Sequence, residues 1–173
     1  MKSFVLPLSD SDIKSLRAGD VVEVSGVIYT ARDAAHKRIC EALSRGEKPP
    51  IELSGAVIYY CGPTPTRKGE IIGSCGPTTS ARMDDYAPTL ISRGAKVMIG
   101  KGKRSGAVAE AVKNYCGLYL AAVGGAGALM KSYVRSCKAV AYEDLGCEAI
   151  YRLEVENMQL IVALDCRGET FLK

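Results

Sequence analysis

The sequence contains no tryptophan, two phenylalanines and one histidine among 173 residues. Its nine tyrosines are not interleaved with basic residues, so the aromatic platform on which single-stranded nucleic acids stack is missing. The net charge is +4, which is small beside the clustered lysine and arginine excess of duplex-binding proteins. We therefore expect no nucleic-acid partner, whereas small anions suit this charge.

The spacing that metal sites need is also lacking. The seven cysteines are an odd number and form no CxxC pair, so neither a zinc ribbon nor a ferredoxin-type cluster is indicated. They are Cys40, Cys61, Cys75, Cys116, Cys137, Cys147 and Cys166. Most lie in apolar runs, where a reduced cysteine acts as a small core residue. We predict that this chain alone binds no metal or other cofactor.

No segment has the pattern of a membrane span or an export signal. The longest stretch without a charge, residues 114–130, contains glycines that indicate a buried strand followed by a turn. The N-terminal segment MKSFVLPLSDSD has an apolar part too short for a signal-peptide core. We expect a cytoplasmic protein without a membrane partner.

Apolar residues, in contrast, are plentiful enough for a core. They make up 47% of the chain and charged residues 24%, as in ordinary globular proteins, and the length suggests one domain over residues 1–173. Strands are predicted at residues 20–30, 56–61, 95–99, 118–123 and 139–142, with a final pair at 150–155 and 160–164. Helices are predicted between residues 30 and 46 and at 78–93, 105–115 and 126–134. This alternation predicts an α/β protein of mixed α+β layers with a mixed central sheet.

Three of the predicted strand-to-helix junctions carry cations. At the first, Thr30 and Asp33 have the spacing of a capping box, which places Arg32 in the first helical turn. Helix starts offer free N–H groups and a partial positive charge, and both favour anions. His36 follows Arg32 by four residues on the same helix face, although a lone helical histidine is more often a packed or solvated residue.

The second junction, GPTTSAR at residues 76–82, is the most informative segment. Its Gly-Pro pair fixes a turn, its hydroxyl residues suit an N-cap, and Arg82 follows Thr78 by four residues. The hydroxyl and the two-pronged guanidinium could therefore face one carboxylate ligand. A capped helix with a solvated arginine fits the same spacing.

The third junction is GKGKRSG at residues 100–106, which contains Lys101, Lys103 and Arg104. Glycines on both sides of Lys101 allow the backbone to approach a ligand closely. The third glycine stands one residue late for a dinucleotide-binding motif, and no phosphate-loop motif occurs. A run of solvated surface charges is the alternative, but three cationic junctions together suit a dicarboxylate.

These segments resemble a known family. TARDAAH (residues 30–36), GPTTSARMD (76–84), GKGKRS (100–105), the turn at Gly124-Gly125 and EDLGCEAIYRLEVEN (143–157) are similar to motifs of the β subunit, or C-terminal domain, of iron–sulfur class I fumarate hydratases and L-tartrate dehydratases. The resemblance covers nearly the whole chain. The sequence departs from the family pattern at Leu145, Cys147 and residues 157–160, which affects packing more than the site.

The resemblance implies a swivelling β/β/α domain that works with a separate α subunit carrying a [4Fe-4S] cluster, in a higher oligomer of α and β. It implies substrate contacts by Arg32, Arg82 and Lys101, and Thr78 as the catalytic base. Residues implied to support these contacts are Asp33, His36 and Arg104. A threonine hydroxyl is a poor base, so the helix start and Arg82 would have to stabilise its alkoxide.

We therefore expect a hydro-lyase subunit that helps to hydrate fumarate reversibly to (S)-malate. Tartrate dehydration is the first alternative, because tartrate differs from malate by one hydroxyl and no residue is assigned to that difference. A non-catalytic anion-binding module that uses the same cationic loops is the second alternative.

Overall fold

A computed structural model describes residues 1–122 and 127–172 of the chain. The strands are β1 (Lys2–Val5), β2 (Val21–Thr30), β3 (Val57–Tyr59), β4 (Val97–Gly100), β5 (Leu118–Ala121), β6 (Val134–Ala141) and β7 (Ile150–Leu164). The α-helices are α1 (Asp10–Ser15), α2 (Asp33–Ser44), α3 (Ala87–Ser92), α4 (Gly106–Asn114) and α5 (Gly127–Ser132), and two 3₁₀ helices span Ser80–Met83 and Glu143–Glu148. Within the described ranges no helix is long and apolar enough to cross a membrane.

All of these strands belong to one mixed sheet, which confirms the predicted fold class. Strands β1 to β5 run parallel to their neighbours in chain order, and β7 is antiparallel to β2, β5 and β6. Because β7 pairs with both β5 and β2, the strands β2, β3, β4, β5 and β7 close into a ring. The edge strands β1 and β6 lie outside that ring.

Along the parallel strands, the side chains on both faces of the sheet are buried. Val57 and Tyr59 of β3 belong to the core inside the ring, whereas Ile58 belongs to a second core. That second core also contains residues of α2, α3 and α4, such as Ile39 and Leu90. Successive strand residues point to opposite faces, so helices that cover the outside bury the alternate set. This explains why these strands read as continuous apolar runs.

The predicted pair of C-terminal strands is wrong, because β7 is one strand of 15 residues. Its pairing with β2 continues on both sides of Asn157, from Val24↔Met158 to Gly26↔Val155, with a register shift between. Asn157 has a φ of 54° and its N–H donates to Ser25 Oγ at 2.9 Å. The polar residues of β7 at this point therefore form an irregularity opposite the register shift between Val24 and Gly26 of β2.

The predicted helix at residues 78–93 is also wrong, since a 3₁₀ turn and α3 occupy this range as separate elements. Pro88 lies in the first turn of α3, and its missing N–H prevents a helix from running through it. The predicted helices α2 and α4 are confirmed, and Ser105 is the N-cap of α4. The turn predicted at Gly124-Gly125 lies outside the described residues.

The parallel strands bring their carboxyl ends to one edge of the sheet. Backbone bonds beyond the strands keep the ends side by side: Ala31 N–H donates to Tyr59 O at 3.0 Å, and Tyr60 N–H to Ile99 O at 2.9 Å. Each of the three cationic segments follows one of these ends. Ligands of parallel α/β sheets, open or closed, bind at the carboxyl ends of the strands.

Candidate active site

The structure places the three predicted junctions next to one another. Arg32 follows the end of β2 and Lys101 follows the end of β4. The segment containing Thr78 returns to the end of β3, where its N–H donates to Tyr60 O at 2.8 Å. Residues 79 and 101 then form a parallel bridge. Segments far apart in the chain thus share one edge, as the cationic pattern predicts.

Asp33 joins the two candidate arginines. Its Oδ1 accepts a hydrogen bond from Arg82 Nε at 3.0 Å, and its Oδ2 lies 3.8 Å from Arg32 Nε. The terminal nitrogens of both guanidinium groups form no hydrogen bond with any described residue. Because a guanidinium has five N–H donors, contact through Nε leaves the outer edge of each group available for a carboxylate.

Glu148 is a site residue that the sequence analysis missed. Its Oε1 accepts from Ala34 N–H at 3.3 Å and lies 3.9 Å from Arg32 Nε. It therefore serves as the cap of α2, and the predicted capping box is wrong. Thr30 instead faces β7, where its Oγ1 accepts from Tyr151 N–H at 3.1 Å. The signal for Glu148 was its place in the motif at residues 143–157.

The Arg32 side chain lies against Gly62 and beside Asp33. A Cβ placed on Gly62 would lie 2.9 Å from Arg32 Cδ, so the side chain rests on that glycine. Arg32 Nε and Asp33 Oδ2 are buried and have no hydrogen-bond partner among the described residues. Buried polar atoms left unpaired are rare, and here the two belong to an ion pair beside the candidate ligand site.

Thr78 is half-buried, and its position differs from the prediction. The 3₁₀ helix begins at Ser80, with Thr79 as an N-cap whose side chain makes no capping bond. Thr78 therefore precedes a four-residue 3₁₀ turn rather than the start of a long helix. The helix start cannot supply the stabilisation that the sequence analysis assigned to it, and the nearby cations would have to supply it.

Lys101 is exposed, and its ammonium pairs with no described residue. Its backbone is fixed by two bonds to Ser80: Ser80 N–H donates to Lys101 O at 2.9 Å, and Lys101 N–H donates to Ser80 Oγ at 3.0 Å. A Cβ on Gly100 would lie 2.0 Å from Ser80 Oγ, and Gly102 has a φ of 82°. Gly100 therefore admits the side chain of Ser80, and Gly102 allows a turn after Lys101.

His36 is buried beneath Arg32 and supports its backbone. Its Nδ1 lies 2.9 Å from Arg32 O, and because a carbonyl only accepts, Nδ1 carries the proton. Burial and the charge of Arg104 lower the pKa of His36 to about 4. The imidazole is therefore neutral near pH 7 and positions the chain rather than exchanging a proton.

Arg104, which is expected to support the substrate contacts, lies inside the protein. Its side chain is 2% exposed, with Nε donating to Asp84 Oδ1 at 2.7 Å and Nη2 donating to Tyr60 Oη at 3.2 Å. Its guanidinium also lies 4.9 Å from the ring centre of Tyr119. Ser105 N–H donates to the other oxygen of Asp84 at 2.6 Å. Arg104 and Asp84 thus tie the second and third junctions together.

The described residues contain no group of three histidine, cysteine or acidic side chains placed to hold a metal ion. Cys61 and Cys75 are buried in the core inside the ring. Cys147, in contrast, is exposed, so the core-like surroundings predicted for the cysteines are wrong there. The donor set of the described residues does not fit an iron–sulfur cluster.

Comparisons with known proteins identify the family of the chain. The profile of the family described as Fumarase C-terminus matches residues 4–173. The putative L(+)-tartrate dehydratase subunit beta of Methanocaldococcus jannaschii is 39% identical over 94% of this chain and 87% of its own length. The aerobic class I fumarate hydratase of Salmonella typhimurium is 38% identical over 88% of this chain.

The putative class I fumarate hydratase of Geobacillus stearothermophilus is 31% identical over 95% of this chain. The chain spans 27% of the Salmonella enzyme and 32% of the Geobacillus protein, so it corresponds to one part of those longer proteins. The subunit from Methanocaldococcus shows that this part also occurs as a chain of similar length. With a profile match over nearly its whole length, the chain belongs to the Fumarase C-terminus family.

Proposed function

We propose that this chain is the β subunit of a class I fumarate hydratase and supplies the cationic half of its active site. The observation that carries the proposal is the pair of guanidinium groups of Arg32 and Arg82, held by Asp33 at the carboxyl edge of the sheet. The side chain of Arg82 is 51% exposed and that of Arg32 is 24% exposed, and these two guanidinium groups with the exposed Lys101 match the charges of a four-carbon dicarboxylate.

The cations have a role in the chemistry as well as in binding. In the dehydration of malate, a proton leaves the carbon next to one carboxylate, and negative charge builds up on that carboxylate. Fixed cations aimed at this charge stabilise the transition state more than the substrate. Arg82 and Lys101 are our candidates for this task, with Arg32 holding the second carboxylate.

Thr78 is our candidate for the group that takes the proton. It lies four residues before Arg82 in a segment tied to both neighbouring strand ends. A hydroxyl serves as a base only when its oxyanion is stabilised. Since no long helix begins at Thr78, that stabilisation would come from the cations around it.

The rest of the reaction would need a partner. The [4Fe-4S] cluster of such an enzyme would be held by an α subunit and would act as a Lewis acid on the departing hydroxyl. The α and β subunits would then form a higher oligomer in the cytoplasm. The named β subunit that matches over most of its length supports a division into separate chains.

Tartrate dehydration is the second candidate, because that same relative is named as a putative tartrate dehydratase subunit. Anaerobic co-expression with the α subunit, followed by assays on (S)-malate, fumarate and L-tartrate, distinguishes the two. We expect interconversion of malate and fumarate at a kcat/KM well above that for tartrate. Turnover of tartrate alone would establish the second candidate, and no turnover of either would favour the non-catalytic anion-binding module.

A further inference from the structure

Ser80 connects the Thr78–Arg82 segment to the Lys101 loop through its side chain as well as its backbone. The residue is completely buried. Its Oγ accepts from Lys101 N–H at 3.0 Å and lies 2.9 Å from Tyr119 Oη. Tyr119 Oη lies 2.9 Å from Gly102 O as well. Two hydroxyls thus contact the backbone on both sides of the Cα of Lys101.

The protons in this group can be assigned by counting donors. Tyr119 Oη is the donor toward both Ser80 Oγ and Gly102 O, so its single phenolic proton is shared between two acceptors. Ser80 Oγ also accepts from the Lys101 N–H through its second lone pair. Burial raises the pKa of Tyr119 to about 12, so the phenol keeps its proton. The Lys101 N–H and the Tyr119 hydroxyl therefore each have an acceptor.

This arrangement also leaves little room for adjustment. Gly100 has no side chain where Ser80 Oγ lies, since a Cβ there would be 2.0 Å from that oxygen. Tyr119 is 1% exposed and packs in the core under α3 and α4. The group is thus fixed to the rigid part of the fold, and it holds the backbone of the exposed Lys101.

We propose that the hydroxyls of Ser80 and Tyr119 are positioning groups for Lys101 in dicarboxylate binding. The inference rests on the proposed function, in which Lys101 contacts the substrate. Without these two hydroxyls, the Lys101 N–H loses a buried acceptor and the Gly102 carbonyl loses its donor. The backbone of Lys101 would then adopt several conformations, and its ammonium would contact the carboxylate of the ligand in fewer of them.

The test is a double-mutant cycle on the assembled enzyme, with succinate binding measured by isothermal titration calorimetry. Succinate is a dicarboxylate without a leaving group, so the readout needs no turnover. We expect Ser80→Ala to weaken binding about tenfold and Tyr119→Phe to weaken it in the same direction. In a Lys101→Ala background, Ser80→Ala should change Kd less than about twofold, because the residues act as one unit.

The matched control is Ser92→Ala, which removes an exposed hydroxyl that bonds only its own helix, at Thr89 O. Melting temperatures of the four single variants show whether they fold. An equal loss from Ser80→Ala in both backgrounds, or no loss in the wild type, would overturn the positioning role. If Lys101→Ala alone left Kd unchanged, the positioning role of Ser80 and Tyr119 would be refuted, but the assignments of Arg32 and Arg82 would not. If the wild-type assembly bound no succinate, the proposed function itself would fail.

Discussion

Arg82 and Arg104 lie on neighbouring segments, and each is held by one aspartate in the same way. Arg82 Nε donates to Asp33 Oδ1 at 3.0 Å, and Arg104 Nε donates to Asp84 Oδ1 at 2.7 Å. The side chain of Arg82 is 51% exposed, whereas that of Arg104 is 2% exposed. The same ion pair therefore occurs once at the surface of the candidate site and once inside the protein.

The difference lies in what the outer edge of each guanidinium meets. Arg104 uses its terminal nitrogens on Tyr60 Oη and Met98 Sδ and stacks on two tyrosine rings. Arg82 has no such partners among the described residues. Arg104 stabilises the fold, because all three of its guanidinium nitrogens contact protein groups. Within the described part of the chain, Arg82 is bound only through Nε, so its terminal nitrogens can bind a ligand. Arg82 thus belongs to a binding side of the molecule and Arg104 to a structural side.

The largest effect is expected at Thr78 on the binding side. Thr78→Val removes the hydroxyl but nearly keeps the shape, and should lower kcat roughly 10²–10⁴-fold with a smaller change in KM. The measurement is steady-state turnover of the assembled enzyme, with Thr79→Val as control because the Thr79 hydroxyl makes no cap bond. Thr78→Ser should restore part of the rate. Near-normal turnover of the valine variant would leave the base unidentified.

On the structural side, Arg104→Met should lower the free energy of unfolding by about 3–5 kcal/mol, because it leaves the buried Asp84 carboxylate without its cation. Chemical denaturation of the purified chain measures this. Arg38→Met is the matched control: its partner Asp144 lies 2.8 Å away at the surface, and exposed pairs contribute about 0–1 kcal/mol. Equal losses in the two variants would contradict the division.

His36 gives the structural side a pH dependence. Its pKa is about 4 in the folded protein against 6.5 in the unfolded chain, so as pH falls the unfolded state binds the proton first. The stability present above pH 6.5 should therefore decrease by about 3 kcal/mol as pH falls to 4. Denaturation at several pH values should show that His36→Gln loses less over this range. Parallel curves for the two proteins would mean that His36 is accessible to solvent.

Arg82→Lys should lower kcat/KM about 100-fold while the melting temperature stays unchanged, because a point charge cannot replace a two-pronged donor that Asp33 has oriented. Arg93→Lys is the control, since the side chain of Arg93 is exposed and bonds no described residue. A large fall in melting temperature for Arg82→Lys would move this arginine to the structural side.

Local patterns were enough to predict several elements. The β-branched run of β2 and the helical spacing of α2 are each set by adjacent residues, and the structure confirms both elements. The break at Pro88 was equally local and could have been predicted. The continuity of β7 could not, because it depends on pairing with β2 more than 120 residues earlier.

The candidate site likewise has a part that local sequence predicts and a part that it does not. The positions of Arg32, Thr78, Arg82 and Lys101 at strand ends follow from patterns within each segment. Their partners do not, because Asp33 meets Arg82 across 49 residues and Glu148 meets Ala34 across 114. No local rule separates the exposed Arg82 from the buried Arg104. Tertiary packing decides which cation faces a ligand.

The most direct test of the account is a crystal structure of the assembled enzyme with bound (S)-malate. We expect one carboxylate of malate on the terminal nitrogens of Arg82, with Arg82 Nε still bonded to Asp33, and the ammonium of Lys101 within hydrogen-bond distance of malate. Arg104 should have no contact with the ligand. Malate bound away from Arg82 and Lys101, or an Arg82 side chain turned to solvent in the complex, would contradict the central claim.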